Sequence, residues 1–195
     1  MAREGPEVVL VRHGETEWSR NGRHTGSTDL PLTEAGVRQA ERAGTALAGR
    51  SFARVLTSPL SRARETGRLV GLGDGALLRD DLREWDYGDY EGLTTAEIRR
   101  DRPGWDLWRD GCLGGEVASQ VGARVDRVIA EAREAAGDVT LFAHGHVLRV
   151  LGARWLGLPP ERGGSLGLTT GTISVLGQER ENAVIWVWNA DAGPD

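Results

Sequence analysis

Two histidines each followed by glycine, His13-Gly14 and His144-Gly145, together with Arg12 and Arg62, form a set of residue types suited to phosphoryl transfer. That reaction needs an in-line nucleophile, cations around the equatorial oxygens and an acid for the leaving oxygen. A neutral imidazole nitrogen can attack phosphorus and form a phosphohistidine that water then hydrolyses. His13 is the expected nucleophile, because it stands in the tight run Val11-Arg12-His13-Gly14-Glu15-Thr16, between an arginine and a glycine that permits close approach. Arg12 and Arg62 present planar, permanently charged forks to phosphate, and His144 adds a further donor to the same oxygens. Backbone amides after Arg12 and at the helix start beyond Ser58 are expected to complete the cradle. Glu84 is the expected acid, since Trp85 and Tyr87 beside it would desolvate the carboxyl and help it hold a proton. Asp86, Asp89 and Glu91 compete for that role.

Each of these residues alone has an ordinary structural use. A histidine after a strand is more often structural than nucleophilic, and an arginine near a helix start is usually solvated or ion-paired. His144-Gly145-His146 also allows a metal reading, but the intervening glycine suggests a turn in which the two imidazoles diverge. Neither a metal nor a cofactor is expected.

Positioning such a set requires elements that bring distant residues to one edge. Val8–Val11 is a short β-branched run that ends at Arg12, as a buried strand would. Thr33 is a candidate cap for a helix carrying Val37, Ala40, Gly44 and Leu47. A second strand, Ala53–Thr57, runs into Ser58-Pro59, a serine cap and a proline suited to a first helical turn, with Arg62 just inside. Ala76-Leu77-Leu78 is a third short run, followed by the acidic and aromatic loop Glu84–Gly92. Around Arg102-Pro103-Gly104 the pattern breaks into what reads as a small helical cap insertion, at about residues 93–116. Val117, Val121, Val125, Val128 and Ile129 mark an amphipathic helix, and Val139–Ala143 a strand that leads into His144 and an apolar helix, Val147–Trp155. Thr172–Leu176 and Ala183–Trp188 suit a closing hairpin. The alternation predicts an α/β fold, residues 1–195 as a single domain, with a mostly parallel central sheet covered by helices on both faces. Ligands then bind beyond the carboxyl ends of the strands, where both histidine-glycine pairs and the Ser58-Pro59 turn fall.

Composition narrows the chemistry. All 24 basic residues are arginine, so Schiff-base catalysis and a lysine-bearing phosphate loop are both excluded. The formal net charge of −5 argues against broad nucleic-acid binding, although a few concentrated arginines can still hold a small phosphate ester. Cys112 is the only cysteine and reads as structural. No apolar run approaches the length of a membrane span. The expected partner is a small phosphorylated metabolite in the cytoplasm, without nucleic acid or membrane, and homo-oligomerisation stays open.

Together the motifs resemble the histidine phosphatase superfamily, the phosphoglycerate mutase-like family. Its markers are the strand-ending Arg12-His13-Gly14, the segment Ser58-Pro59-Leu60-Ser61-Arg62 and the late His144-Gly145, spanning about Val8 to Val175. The resemblance implies His13 as the phosphorylated nucleophile, Glu84 as acid and base, and Arg12, Arg62 and His144 as the phosphate pocket. It also places Thr25 and Gly26 in a segment that closes over substrate phosphate, and Ser19 where many members have asparagine. His24, Tyr87 and Gly145 complete the expected substrate contacts. The short insertion, the absence of lysine and the runs Glu84–Gly92, Trp108–Cys112 and Thr170–Leu176 look like the branch containing sedoheptulose bisphosphatase and broad acid phosphatases. The resemblance thus implies hydrolysis of a sugar phosphate or sugar bisphosphate. A phosphoglycerate mutase is the alternative enzyme, and a noncatalytic module binding phosphorylated ligands is the alternative of another class.

Overall fold

The computed structural model describes residues 4–193. Six strands form one sheet in the order β3-β2-β4-β1-β5-β6, with β1 spanning Glu4–Arg12, β2 Arg54–Thr57, β3 Leu77–Leu78, β4 Val139–Ala143, β5 Ile173–Glu179 and β6 Asn182–Ala190. The pairs β1·β4, β2·β4 and β2·β3 are parallel, whereas β5 runs antiparallel to both β1 and β6. The sheet is therefore mostly parallel, with the expected hairpin added at one edge.

Successive residues of β1 serve opposite faces, as a strand buried on both sides requires. Val8 and Leu10 join Leu56, Val139 and Leu141 in the larger hydrophobic cluster. The helices on that side are α6, Ala118–Arg133, and α7, Gly145–Trp155. Val9 and Val11 join Phe142 and Val175 in the other cluster, with Ala43 and Leu47 of α2, which spans Glu34–Leu47. Full burial of each such Val or Leu contributes about 1.5–3 kcal/mol, and β1 and β4 supply residues to both faces.

Helix ends follow local chemistry. The Thr33 side chain accepts from the Gly36 N–H and caps α2 as expected. The third helix, α3, spans Ser61–Val70 with Leu60 at its cap position, so the expected Ser58 cap is corrected. Ser58 Oγ is engaged elsewhere: it accepts from the Leu60 N–H and lies 2.7 Å from His144 Nε2. A one-turn helix, α1 at Glu17–Arg20, is closed by a reciprocal pair of bonds between Thr16 and Ser19.

The segment after the acidic loop holds two short helices, α4 at Thr95–Asp101 and α5 at Leu107–Asp110. Ile98, Trp105, Leu107 and Cys112 are buried in the larger cluster, so this segment extends the main core. Burial pushes the Cys112 thiol up to about 12, which suits a structural residue and not a nucleophile. Among the described residues no helix is long and apolar enough to cross a membrane.

Candidate active site

Strand order brings the two histidines together. Because β4 lies between β1 and β2, Arg12 is registered against Ala143 and Thr57 against Phe142. The next residues of β1 and β4 are His13 and His144, whose ring centroids are 5.1 Å apart. The turn after β1 is pressed against the first turn of α2. A Cβ on Gly14 would overlap the Gly36 carbonyl, and one on Gly36 would overlap the Glu15 carbonyl. Both positions therefore need glycine for close backbone approach.

The hydrogen bonds settle both tautomers. His13 Nδ1 lies 2.7 Å from the Gly14 carbonyl, which can only accept. Burial and the charges of Arg62 and Arg12 push the His13 pKa well below its usual value. A neutral ring with its proton on Nδ1 leaves the lone pair on Nε2. In His144, Nδ1 accepts from Arg62 Nε at 3.1 Å, so Nε2 carries the proton shared with Ser58 Oγ. Burial, and then Arg62, likewise push the His144 pKa well below its usual value. Both ring nitrogens of His144 are thus already paired, and its direct effect is to orient Arg62.

Arg62 is fully buried. Its Nη1 donates to the Thr28 carbonyl, and Nη2 to the carbonyls of Thr25 and Gly26. Glu91 grips the same loop from the other side by accepting from the Gly26 and Thr28 N–H groups. Glu91, a competing acid in the sequence, is thereby a loop clamp. Arg12 lies against Gly145, where a Cβ would come within 3.2 Å of its Cζ. Its Nη1 donates to the Leu168 carbonyl, while Nε is buried without a partner among the described residues. A buried donor left unsatisfied is costly, and an arriving anion would satisfy it.

The expected amide cradle is corrected by the structure. The His13 N–H donates to the Ala143 carbonyl and the Gly14 N–H to Thr66 Oγ1. Beyond Ser58, the Leu60 N–H goes to Ser58 Oγ and the Ser61 N–H to Asp29. These amides are already engaged within the protein, and the unpartnered Nε of Arg12 is the buried donor still available near His13.

Glu84 sits at the start of α7, 8% exposed. Its carboxylate accepts three backbone N–H bonds, from Trp85, His146 and Val147, at 2.9–3.0 Å. Trp85 and Tyr87 direct their polar atoms elsewhere, Trp85 Nε1 to the Glu116 carbonyl and the Tyr87 hydroxyl to His146 Nδ1 at 2.6 Å. The expected apolar shell around the carboxyl is therefore replaced by a helix N-terminus.

Arg12, His13, Ser19, His24, Thr25, Glu84, Tyr87 and Gly145 all line one cavity of about 280 Å³. Glu84 is the one carboxylate in that lining. Asp86 instead accepts from the Gly88 N–H. Ser19 turns its hydroxyl to the Thr16 carbonyl, and Gly26 contributes its backbone to the Arg62 and Glu91 contacts. His24 packs against Tyr87, ring centroids 4.7 Å apart, with Nε2 toward Thr95 Oγ1. His146, Thr95 and Arg149 also line the cavity and were not anticipated as site residues. His146 Nδ1 lies 2.6 Å from the Tyr87 hydroxyl. No group of three or more His, Cys, Asp or Glu is placed to hold a metal ion among the described residues.

All four histidines of the sequence have pKa values pushed below 6.5, chiefly by burial, with His24 at about 4. The unfolded chain therefore binds more protons than the folded one below about pH 6.5. The associated stability is present above that pH and is lost as pH falls toward the folded values. His24 alone accounts for about 2 kcal/mol by pH 5. Thermal melts should show Tm falling between pH 7 and pH 5, and a His24→Phe variant should fall less steeply; parallel curves for the two proteins would contradict the assignment.

Comparison with known proteins identifies the family. The model of the histidine phosphatase superfamily (branch 1) matches residues 8–191. The chain is 42% identical to sedoheptulose 1,7-bisphosphatase of Saccharomyces cerevisiae, over 78% of this chain and 68% of the yeast protein. It is also 42% identical to an acid phosphatase of Mycobacterium tuberculosis, over 88% of this chain and 86% of that protein. A solved structure from an open reading frame of Mycobacterium tuberculosis superposes with a TM-score of 0.92 at 38% identity, covering 97% of this chain and 100% of the other. Over nearly its whole length the chain belongs to the histidine phosphatase superfamily.

Proposed function

We propose that the protein is a phosphomonoesterase that hydrolyses a small phosphorylated metabolite, a sugar phosphate or sugar bisphosphate, through a phosphohistidine on His13. The observation that carries this reading is the neutral His13, protonated on Nδ1 and buried in a cavity that also holds Arg12, with its unpartnered Nε, and Glu84. Nε2 attacks phosphorus in line as the ester P–O bond breaks, and Glu84 gives its proton to the departing oxygen. Arg12 and Arg62 neutralise the equatorial oxygens, which supplies the electrostatic stabilisation that phosphoryl transfer needs. Water then attacks the phosphohistidine, Glu84 takes its proton, and inorganic phosphate leaves with His13 restored.

Arg12 gains a partner for a buried donor, and Arg62, held by His144 and the loop carbonyls behind the cavity lining, acts through its charge. The same reading takes residues 1–195 as one domain working in the cytoplasm without nucleic acid or membrane, as a monomer or homo-oligomer. The relatives' names, a sugar bisphosphatase and an acid phosphatase, favour hydrolysis over retention of the phosphate.

Product analysis tests the proposal. The protein should release inorganic phosphate from sugar mono- or bisphosphates in the presence of a chelator. Isomerisation of 3-phosphoglycerate with negligible phosphate release would identify a mutase instead, and ester binding without turnover across the panel would identify a noncatalytic module.

A further inference from the structure

The acid of the proposed reaction stands in a stretch of chain with no regular ladder of its own. After the 3₁₀ turn Asp80–Leu82 the backbone runs to Tyr87 without helix or strand, so its carbonyls need partners from elsewhere in the fold. Arg124, on α6, supplies them. Nη1 donates to the carbonyls of Asp81 at 2.8 Å and Arg83 at 2.7 Å, and Nη2 to the carbonyl of Glu84 itself at 3.1 Å. The remaining N–H groups go to Glu116, Nε to Oε1 and Nη2 to Oε2, both at 2.9 Å. All five donors of the guanidinium are engaged.

Glu116 holds the far side of the acid. Its Oε2 accepts from the Asp86 N–H at 2.9 Å, its backbone N–H donates to the Asp86 carbonyl at 2.8 Å, and its carbonyl accepts from Trp85 Nε1 at 2.9 Å. The Arg124–Glu116 pair therefore brackets residues 81–86, while the Glu84 carboxylate is held separately by the N–H groups of Trp85, His146 and Val147. Neither Arg124 nor Glu116 is among the described residues that line the cavity. Their neighbour Arg127 pairs with the Asp81 carboxylate with its side chain 64% exposed, whereas the Arg124 side chain is 11% exposed. Arg127 is an ordinary surface ion pair. Arg124 is a buried fork given to three carbonyls of one segment.

We propose that Arg124 is the positioning residue for the general acid, fixing the backbone of Glu84 so that its carboxyl meets the leaving oxygen. This deepens, and rests on, the reading of the cavity as a phosphomonoesterase site. Without the guanidinium, three carbonyls and the Glu116 carboxylate lose their donors together, and the segment swings toward water to recover them. The backbone of Glu84 moves with it, and a shift of about 1 Å is enough to slow a catalytic step about 100-fold. Arg12, His13 and Arg62 take their hydrogen bonds from other parts of the fold, so phosphate binding and attack are spared.

The test measures kcat/KM for three esters in the parent protein, Arg124→Met, Arg124→Lys, Glu84→Gln and the double variant Glu84→Gln/Arg124→Met. Fructose 6-phosphate and phenyl phosphate leave through oxygens that need a proton, and p-nitrophenyl phosphate leaves without one. A ratio of two esters on one preparation is independent of the fraction of protein correctly folded. In Arg124→Met the ratio of either of the first two to p-nitrophenyl phosphate should fall about 10- to 100-fold, with inhibition by inorganic phosphate unchanged. Arg124→Lys keeps the charge without the fork and should lower the ratio about 10-fold, which gives the same readout where the methionine variant does not fold. In the Glu84→Gln background Arg124→Met should leave the ratio almost unmoved, because the acid it positions is already gone. Ratios within threefold of the parent in the single Arg124 variants would overturn the proposal while leaving the hydrolase intact, and so would an undiminished effect of Arg124→Met in Glu84→Gln. No phosphate release from any ester by the parent protein would overturn the hydrolase reading and this inference with it.

Discussion

His13→Ala is expected to lower kcat by at least about 10⁴-fold and to abolish the acid-labile phosphoenzyme formed from labelled substrate. The size follows from the site's economy of nucleophiles. Cys112 is held as a thiol by burial, and His144 has both ring nitrogens engaged by Arg62 and Ser58. Neither can take over the attack. The arginines survive the substitution, so inorganic phosphate should still bind and raise Tm, which separates loss of chemistry from loss of structure. Rapid acid-free quenching followed by gel autoradiography reads the result. A labelled band that persists in His13→Ala, or turnover within tenfold of the parent, would move the nucleophile to another residue.

Glu84→Gln should show the next largest effect, and its size should depend on the leaving group. For an alkyl ester, whose alkoxide needs a proton as it departs, kcat should fall about 10²- to 10⁴-fold. For p-nitrophenyl phosphate, whose phenolate leaves without one, the first step should be spared. Dephosphorylation still lacks its base, so a burst of one equivalent of p-nitrophenolate should precede a slow steady state. Stability should fall as well. Glu84 accepts three N–H bonds through two oxygens, and an amide turns one of those oxygens into a donor facing an N–H. One unsatisfied buried group costs about 1–3 kcal/mol, measurable by denaturant unfolding. Equal losses on both substrates without a burst would exclude Glu84 as the proton carrier.

The individual parts of this site were far more legible in the sequence than their connections. Arg12-His13-Gly14 after a β-branched run, and His144-Gly145 after another, located two strand ends because strands and turns are written in short windows. Thr33 announced its helix for the same reason. The partners of Ser58, Glu91 and Glu84 lie tens of residues away, and no local pattern encodes them. Ser58 looks like a helix cap until β4 is seen to enter between β1 and β2 and bring His144 to its hydroxyl. Glu91 looks like one of several acids until the Gly26 and Thr28 amides are found on it. Arg149 was hidden among 24 basic residues, all arginine. Its place in the cavity wall, against Trp108 and two carbonyls, is set by the fold and not by its neighbours in sequence.

The contact between Gly14 and Gly36 bears on how such a site can drift over evolutionary time. Most tight contacts in a core can be renegotiated, since a larger side chain on one partner is met by a smaller one on the other. Here the neighbour that each added methyl would strike is peptide backbone, and both residues are already at minimum size. No second substitution at either position can relieve the first. A lineage could vary one of them only by displacing the whole first turn of α2, and with it the turn that carries His13, so selection on catalysis and selection on folding act on this pair as a single constraint.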